Sequence, residues 1–253
     1  MVRRLVDSNR RREQRRQSRL LDRLERQFAR RFQAEIARAM RELAEQYRLT
    51  GEVGVPRDHL QNIEAIFRQL ATTSAEQFGA RIVDQGKAAG YKVETKDFAA
   101  TMARLALSYI DQEAIRQRIT SITSTTRQQV INAVSAGYSD GLGQNAIANL
   151  ILERVPDFSA FRGRMIARTE THGAANFGAR EAARETGLPL RKEWIAAQDE
   201  RTRQSHADAD GQVVGQDETF DVGGSSLEYP GDPAGPAEEV INCRCALGWI
   251  VPD

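Results

Sequence analysis

Apolar side chains recur at steps of four and three along the first fifth of the chain: Leu20, Leu24, Phe28, Phe32, Ile36, Met40, Leu43 and Tyr47. That spacing is one face of a long amphipathic helix. Thr50-Gly51 to Val55-Pro56 interrupts it, and a second helix is predicted after Pro56 with Ile63, Ile66, Phe67, Leu70, Phe78, Ile82 and Val83 as its stripe. Gly86, Gly90 and Val93–Thr95 mark another break. Phe98, Met102, Leu105 and Tyr109 predict a third helix. Thr126-Arg127-Gln128-Gln129 has the form of a capping box just before Val130, Ile131 and Val134, which places a helix start there. Gly137 to Gly143 reads as a turn and Ala146 to Val155 as a short helix. Asp157 or Ser159 then caps a further helix that runs to Gly187, a C-terminal stop glycine.

After Gly187 the pattern changes. Residues 211–253 hold seven of the nineteen glycines and four of the seven prolines, and the apolar runs shorten to strand length. Leu190–Ile195, Gln212–Val214, Ile241–Leu247 and Gly248–Val251 are the strand candidates. The expected fold class is α+β: a mainly helical N-terminal body followed by a small α+β or β-rich unit. In sequence order this gives a basic helical arm at 1–48, a helical body at 49–187 and a small C-terminal unit at 188–253. Residues 1–18 lack the apolar stripe and read as disorder-prone. No internal repeat is present.

Composition narrows the classes without choosing among them. The chain has 253 residues, 40% hydrophobic and 28% charged, a balance suited to a globular fold. Two cysteines exclude a disulfide-dense secreted scaffold. The basic start has no apolar core of a secretory signal, and no apolar run reaches membrane-spanning length. The net charge of +1 excludes a uniformly basic nucleic-acid coat but hides an asymmetry. Residues 1–48 carry 15 arginines, no lysine and 7 acids, whereas residues 181–253 carry 6 basic and 15 acidic side chains. Opposite charge at the two ends implies different partners there. Arginine favours bidentate contact with phosphate or carboxylate. Arg19, Arg23, Arg26, Arg30, Arg31, Arg38 and Arg41 fall away from the apolar stripe. They form either a DNA-facing surface or a solvated face laced with ion pairs.

Candidate chemistry sits in the last third. In Arg168-Thr169-Glu170-Thr171-His172, Glu170 shares a helical face with Ile166, Ala174 and Phe177, so its carboxylate needs a buried partner. Arg168, His172 and Asn176 make a second stripe. The segment Asp199-Glu200-Arg201-Thr202-Arg203-Gln204-Ser205-His206, read as a helix, puts Asp199, Arg203 and His206 on one face, with Gly211 as its stop. Arg201 and Arg203 are then the natural partners for Glu170. In Ile241-Asn242-Cys243-Arg244-Cys245-Ala246-Leu247, read as a strand, both thiols join the apolar face of Ile241 and Leu247. They are then buried and inert, and no cofactor is expected. The other reading is a zinc site of His172, His206, Cys243 and Cys245, although Cys-x-Cys is not the usual zinc spacing. A disulfide between residues two apart is strained. Trp194, Trp249 and the Tyr229-Pro230-Gly231-Asp232-Pro233 turn pack the small unit.

These pieces occur in a particular order: an Arg-Thr-Glu-Thr helix, Trp194, Asp199-Glu200-Arg201-Thr202-Arg203 with His206, Gly211, Phe220, Pro230-Gly231-Asp232 and Asn242-Cys243-Arg244-Cys245. In that order they resemble the phage Mu protein F-like family of head-morphogenesis, or minor capsid, proteins. The resemblance covers about residues 119–251, including Ile119–Thr126 and the Gly137–Gly143 turn, and is only compositional before that. It implies a virion component made in the host cytoplasm and placed in the capsid interior near the portal, in few copies. It also implies a part in head assembly or in DNA packaging and ejection. The implied partners are the portal protein, other capsid or scaffold proteins and packaged double-stranded DNA. Some members carry toxin domains after this module; this sequence ends at Asp253, so none is expected.

Two functions compete on these residues. In a structural virion protein, Arg168, Thr169, Glu170, His172, Trp194, Asp199, Arg201, Arg203, His206, Asp232, Asn242, Cys243, Arg244 and Cys245 hold the module together. In an enzyme, Glu170, His172, Asp199 and His206 supply acid–base or metal-assisted chemistry and must converge on an open pocket. No nucleophile elbow, phosphate loop or metalloprotease motif supports the second, so a non-enzymatic protein is expected.

Overall fold

The computed structural model describes residues 3–4, 10–93 and 97–251. Part of the Val93–Thr95 break and the first residues of the chain lie outside the described residues. The elements in order are β1 (Arg3–Arg4), α1 (Arg10–Thr50), α2 (His59–Ala88), α3 (Phe98–Ile110), α4 (Glu113–Ser139), α5 (Gln144–Glu185), β2 (Arg191–Ile195), α6 (Gln204–Asp208), β3 (Val213–Gly215), β4 (Phe220–Val222), β5 (Ser225–Leu227), α7 (Ala237–Val240) and β6 (Ala246–Val251). Long helices followed by short antiparallel strands make the fold α+β. No described helix is long and apolar enough to cross a membrane.

The chain forms two compact units that cut across the sequential divisions at 48 and 187. One comprises Met1–Glu25, Arg68–Ala114 and Arg168–Asp253; the other comprises Arg26–Phe67 and Ile115–Ala167.

The second unit is helical. Its core is the α1 stripe, Phe28, Phe32, Ile36, Met40, Leu43 and Tyr47, with Ile63, Ile66 and Phe67 of α2, Ile115, Ile119, Ile122 and Val130 of α4, and Ile147, Ile151 and Val155 of α5. Phe32 and Phe67 meet edge to face at 5.5 Å. Gly163 lets α5 lie directly on α1: a Cβ there would sit 2.8 Å from Gln33 N and 2.9 Å from Ala29 O. The end of α1 is closed by Gln144, whose Nε2 donates to the carbonyls of Tyr47 and Arg48. A polar knot interrupts the apolar core. His59 Nδ1 lies 2.8 Å from Glu35 Oε1, and Arg38 holds both Glu35 and Glu42. Burial lowers the His59 pKa despite Glu35. Glu35 is also lowered, because Arg38 and His59 outweigh the cost of its own burial.

Two expected boundaries fall inside helices here. Thr126 is mid-helix in α4, not a cap: its hydroxyl donates to Ile122 O at 2.8 Å and meets His59 Nε2 at 3.4 Å. Pro156 sits within α5 and Ser159 bonds back to Pro156 O, so the short helix and the next one are continuous. Packing of Ile147, Ile151 and Val155 offsets the one backbone bond that proline removes.

The first unit joins helices to the sheet. Strand order is β1-β6-β2-β3, all antiparallel, with Trp194 opposite Leu247 and Arg191 opposite Ile250. A separate hairpin pairs β4 with β5. The start of α1 is therefore no free arm. Residues 10–18 are helical, Gln17 Nε2 donates to Leu247 O at 3.1 Å, and Gln14 donates to Ala196 O. The stripe begins at Leu21, which is buried, rather than at Leu20. Small residues bring α2 onto α5: a Cβ on Gly178 would sit 2.5 Å from Ala75 Cα, and Gly79 lies against Met102 and Ala182. Gly187, at φ 64°, ends α5 as its sequence pattern predicts.

Candidate functional site

The face of α5 carrying Arg168, Thr169, His172 and Asn176 holds the irregular segment between β5 and β6. Asn176 is the central lock. Its Nδ2 donates to Pro230 O at 2.9 Å and Cys245 O at 3.2 Å, and its Oδ1 accepts from Leu247 N at 3.2 Å. Two turns earlier, Thr169 Oγ1 accepts from Asn242 N at 3.0 Å. Between them the backbones touch: a Cβ on Gly173 would sit 2.9 Å from Gly231 O and 2.7 Å from Tyr109 Oη. Gly231, at φ 82°, adopts the left-handed turn that makes this approach possible. Asp232 holds the turn from within by accepting from the amides of Glu228 and Ala234. Of the Arg168, His172 and Asn176 stripe, His172 and Asn176 thus face the following segment, whereas Arg168 turns to α1.

Charges around this lock are paired or neutralised. Arg168 makes a double hydrogen bond to Glu25 of α1, a partner that lies far from it in sequence. His172 is buried; burial, followed by the charges of Arg168 and Arg244, pushes its pKa down to about 3, so the ring is neutral. Glu170 is buried on the neighbouring face. The expected Glu170 partners go elsewhere. Arg201 is largely exposed, 4.0 Å from Asp199, and Arg203 donates to Ile241 O. Asp199 pairs with Arg244 and accepts from Arg201 N in a tight turn. The Arg244 hydrogen bond is the main reason its pKa falls to about 2. Helix α6 begins only after this turn, so Asp199 caps no helix.

The Asn242–Cys245 stretch corrects a second expectation. It is not a strand: α7 ends at Val240, Asn242 takes φ 60°, and β6 starts at Ala246. Ile241 is 38% exposed, so no shared apolar face with Leu247 exists. Both thiols are nevertheless 1% exposed, because the loop turns them inward. There they meet His206, which is 2% exposed and held edge-on against Trp194. His206 Nδ1 lies 3.3 Å from Cys245 Sγ and 3.7 Å from Cys243 Sγ. The Cys243 pKa is lowered by its hydrogen bond with Cys245, and that of Cys245 is raised by the same bond. Burial pushes His206 down, but Cys245 outweighs it and the net shift is upward. The structure therefore unites three of the four candidate metal ligands. His172 is the one left out: it contacts the backbone of Cys245, and its Nδ1 has no hydrogen-bond partner among the described residues.

A small open cleft lies over the cluster, lined by Arg201, Arg203, His206, Asn242, Arg244 and the two cysteines among others. Of the four acid–base candidates, His206 alone lines it. Trp194 is fully buried between His206 and Phe220, a packing role. Lys192 is also fully buried, its Nζ bonded to Glu228 O at 2.7 Å and over the Phe220 ring; burial brings its pKa down to about 8. No periodicity marks Lys192, Glu25, Glu239 or Gly173, because their roles depend on contacts with distant segments.

The arginine face of α1 is partly as expected. Arg19, Arg23, Arg26, Arg30 and Arg41 are exposed. Arg38 is not available in the same way, being engaged by Glu35, Glu42 and Arg57 O. Arg31 is exposed but lies over the Phe28 ring, 5.9 Å from its centroid.

Residues 127–248 match the family described as Phage Mu protein F like protein. The chain is 27% identical over 208 residues to the minor head protein GP7 of Bacillus phage SPP1, covering 76% of this chain and 65% of that protein. It is 33% identical over 140 residues to an NAD(+)–arginine ADP-ribosyltransferase of Enterococcus faecalis, covering 54% of this chain and 28% of the enzyme. It is 33% identical over 106 residues to the uncharacterized protein YqbB of Bacillus subtilis, covering 40% of this chain and 35% of that protein. The chain thus spans less than two thirds of the length of each of these relatives. No solved structure matches it. The matched span, just under half of the chain, takes in the Thr169 and Asn176 lock, Trp194, the Asp199–His206 segment and the Asn242–Cys245 loop, and it is over these residues that the chain is similar to the Phage Mu protein F-like family.

Proposed function

We propose that the chain is a structural minor head protein of a tailed phage, without enzymatic activity of its own. It lies in the capsid interior near the portal and serves head assembly or DNA packaging and ejection. The observation that carries this reading is what the polar and aromatic residues of the matched span do. Thr169, Asn176 and Asp232 bond backbone groups, Asp199 and Arg244 neutralise each other, and Trp194 is packed. Residues spent on holding backbone and charge are those of a docking scaffold, and the similarity to a phage minor head protein supports the same role. Glu170 and His172 are buried away from the cleft, so the four acid–base candidates do not assemble there.

The module presents its surface to the portal protein and to other capsid or scaffold proteins. The exposed arginines of α1, Arg19, Arg23, Arg26, Arg30 and Arg41, contact packaged double-stranded DNA through phosphate, which requires no base readout. The test uses purified heads of the producing phage. The chain should be a component of intact heads, resist protease until they are opened, and crosslink to packaged DNA. Replacing Arg23, Arg26 and Arg30 by Glu should leave incorporation intact and remove the crosslinks. Absence of the chain from intact heads overturns the structural role; unchanged crosslinks in the variant overturn the DNA face.

A further inference from the structure

We propose that His206, Cys243 and Cys245 form a binding site for a soft divalent cation, zinc by preference, with three protein ligands and a fourth position facing the cleft. The argument is geometric. Tetrahedral zinc with bonds of roughly 2.3 Å to sulfur and 2.0–2.1 Å to nitrogen places sulfur and nitrogen ligands about 3.5 Å apart. His206 Nδ1 stands 3.3 Å from Cys245 Sγ and 3.7 Å from Cys243 Sγ, on either side of that value. All three donor atoms lie within 4.8 Å of one another. An ion would therefore be accommodated with little movement of the ring or the sulfurs.

The loop is shaped to produce this grouping. Asn242 takes the left-handed conformation and Cys243 N bonds Val240 O, which folds the chain back after α7. Cys243 and Cys245 are both turned inward onto the His206 ring by this fold of the loop. Helix α6 supplies His206 from a different part of the sequence, 37 and 39 residues before the two cysteines.

The surroundings of the histidine fit a ligand. Its other nitrogen, Nε2, lies 2.9 Å from Oε2 of Glu239, although the ring N–H does not point along that line. Ser205 Oγ donates to the same carboxylate oxygen at 2.8 Å. A carboxylate beside the far nitrogen of a metal-bound imidazole fixes its tautomer, leaving Nδ1 with the lone pair that a metal needs. Two thiolates and a neutral imidazole make the bound divalent site neutral overall, which suits side chains with 1–2% exposure. The fourth ligand is water or a small anion from the cleft, where Arg201 and Arg203 favour negative charge.

The test is metal content of the full chain, purified with reductant and dialysed against metal-free buffer. One equivalent of zinc per chain is expected, released when a mercurial titrates the thiols. The Cys243→Ser/Cys245→Ser and His206→Ala variants should lose it, and His206→Cys, which restores a ligand, should retain it. Cobalt substitution of the wild-type chain needs no variant to fold, and should show a thiolate-to-cobalt absorption band with tetrahedral ligand-field bands. Zinc in wild type no higher than in the double serine variant overturns the proposal. So does cobalt that binds without a thiolate band.

Discussion

The two units hold themselves together by different means, although both are built from segments far apart in sequence. In the helical unit, of residues 26–67 and 115–167, stability comes from an apolar stripe that interdigitates with its neighbours: Phe32 on Phe67, and Ile36, Met40 and Leu43 within the same core. In the unit that carries β2 to β6, one face of α5 is bonded atom by atom to irregular backbone through Thr169 and Asn176. Apolar packing depends on volume and tolerates exchange among shapes of similar size. A buried hydrogen bond depends on atom type, and its loss leaves the partner unsatisfied.

That contrast can be broken most directly by substitution. Phe32→Ala should cost about 3–5 kcal/mol, and Phe32→Leu should recover much of that loss. Asn176→Ala should cost about 3 kcal/mol, since two carbonyls and one amide lose their partner in a buried place. Asn176→Leu, close in volume, should recover none of it. Denaturant unfolding of the four variants checks the pattern; recovery by Asn176→Leu would show that the α5 lock is packing after all.

A smaller effect lies in the buried polar knot of the helical unit. The His59 pKa is lowered in the fold, so below about pH 6.5 the unfolded chain takes up a proton that the fold refuses. Stability from this group is therefore complete above that pH and falls as the pH drops, by at most about 1.4 kcal/mol per unit. Glu35 acts in the same direction at lower pH, because its folded pKa is also lowered and its contribution is lost on protonation. Arg38 and Glu42 are the other charges facing the ring, and Arg38 adds to the lowering while Glu42 opposes it. His59→Gln should flatten thermal stability between pH 6.5 and the carboxylate range. An unchanged slope there would mean that the knot does not titrate with folding.

Legibility in the sequence follows the same divide. The α1, α2 and α3 stripes were legible because a helical face repeats, and Ile63, Phe67, Met102 and Tyr109 are buried as their spacing predicts. Helix ends were less so: Thr126 has the signature of a cap, yet packing on both sides carries α4 through it, as it carries α5 through Pro156. The module's residues were legible as an ordered set, but their partners were not. Arg168 finds Glu25, Arg244 finds Asp199 and His206 finds two thiols over distances in sequence that no period encodes. The Asn242–Cys245 stretch alternates like a strand and still folds as a loop, because Thr169 and Asn176 claim its backbone bonds.

The central claim, that the segment before β6 keeps its shape through α5, is tested most directly by native-state hydrogen exchange on the full chain. The Asn242 and Leu247 amides donate to side chains of α5, to Thr169 Oγ1 and Asn176 Oδ1. They should exchange as slowly as the α5 amides around Ala174 and Ala175, opening only with the whole unit. Fast exchange at Asn242 and Leu247 while α5 stays protected would contradict the account.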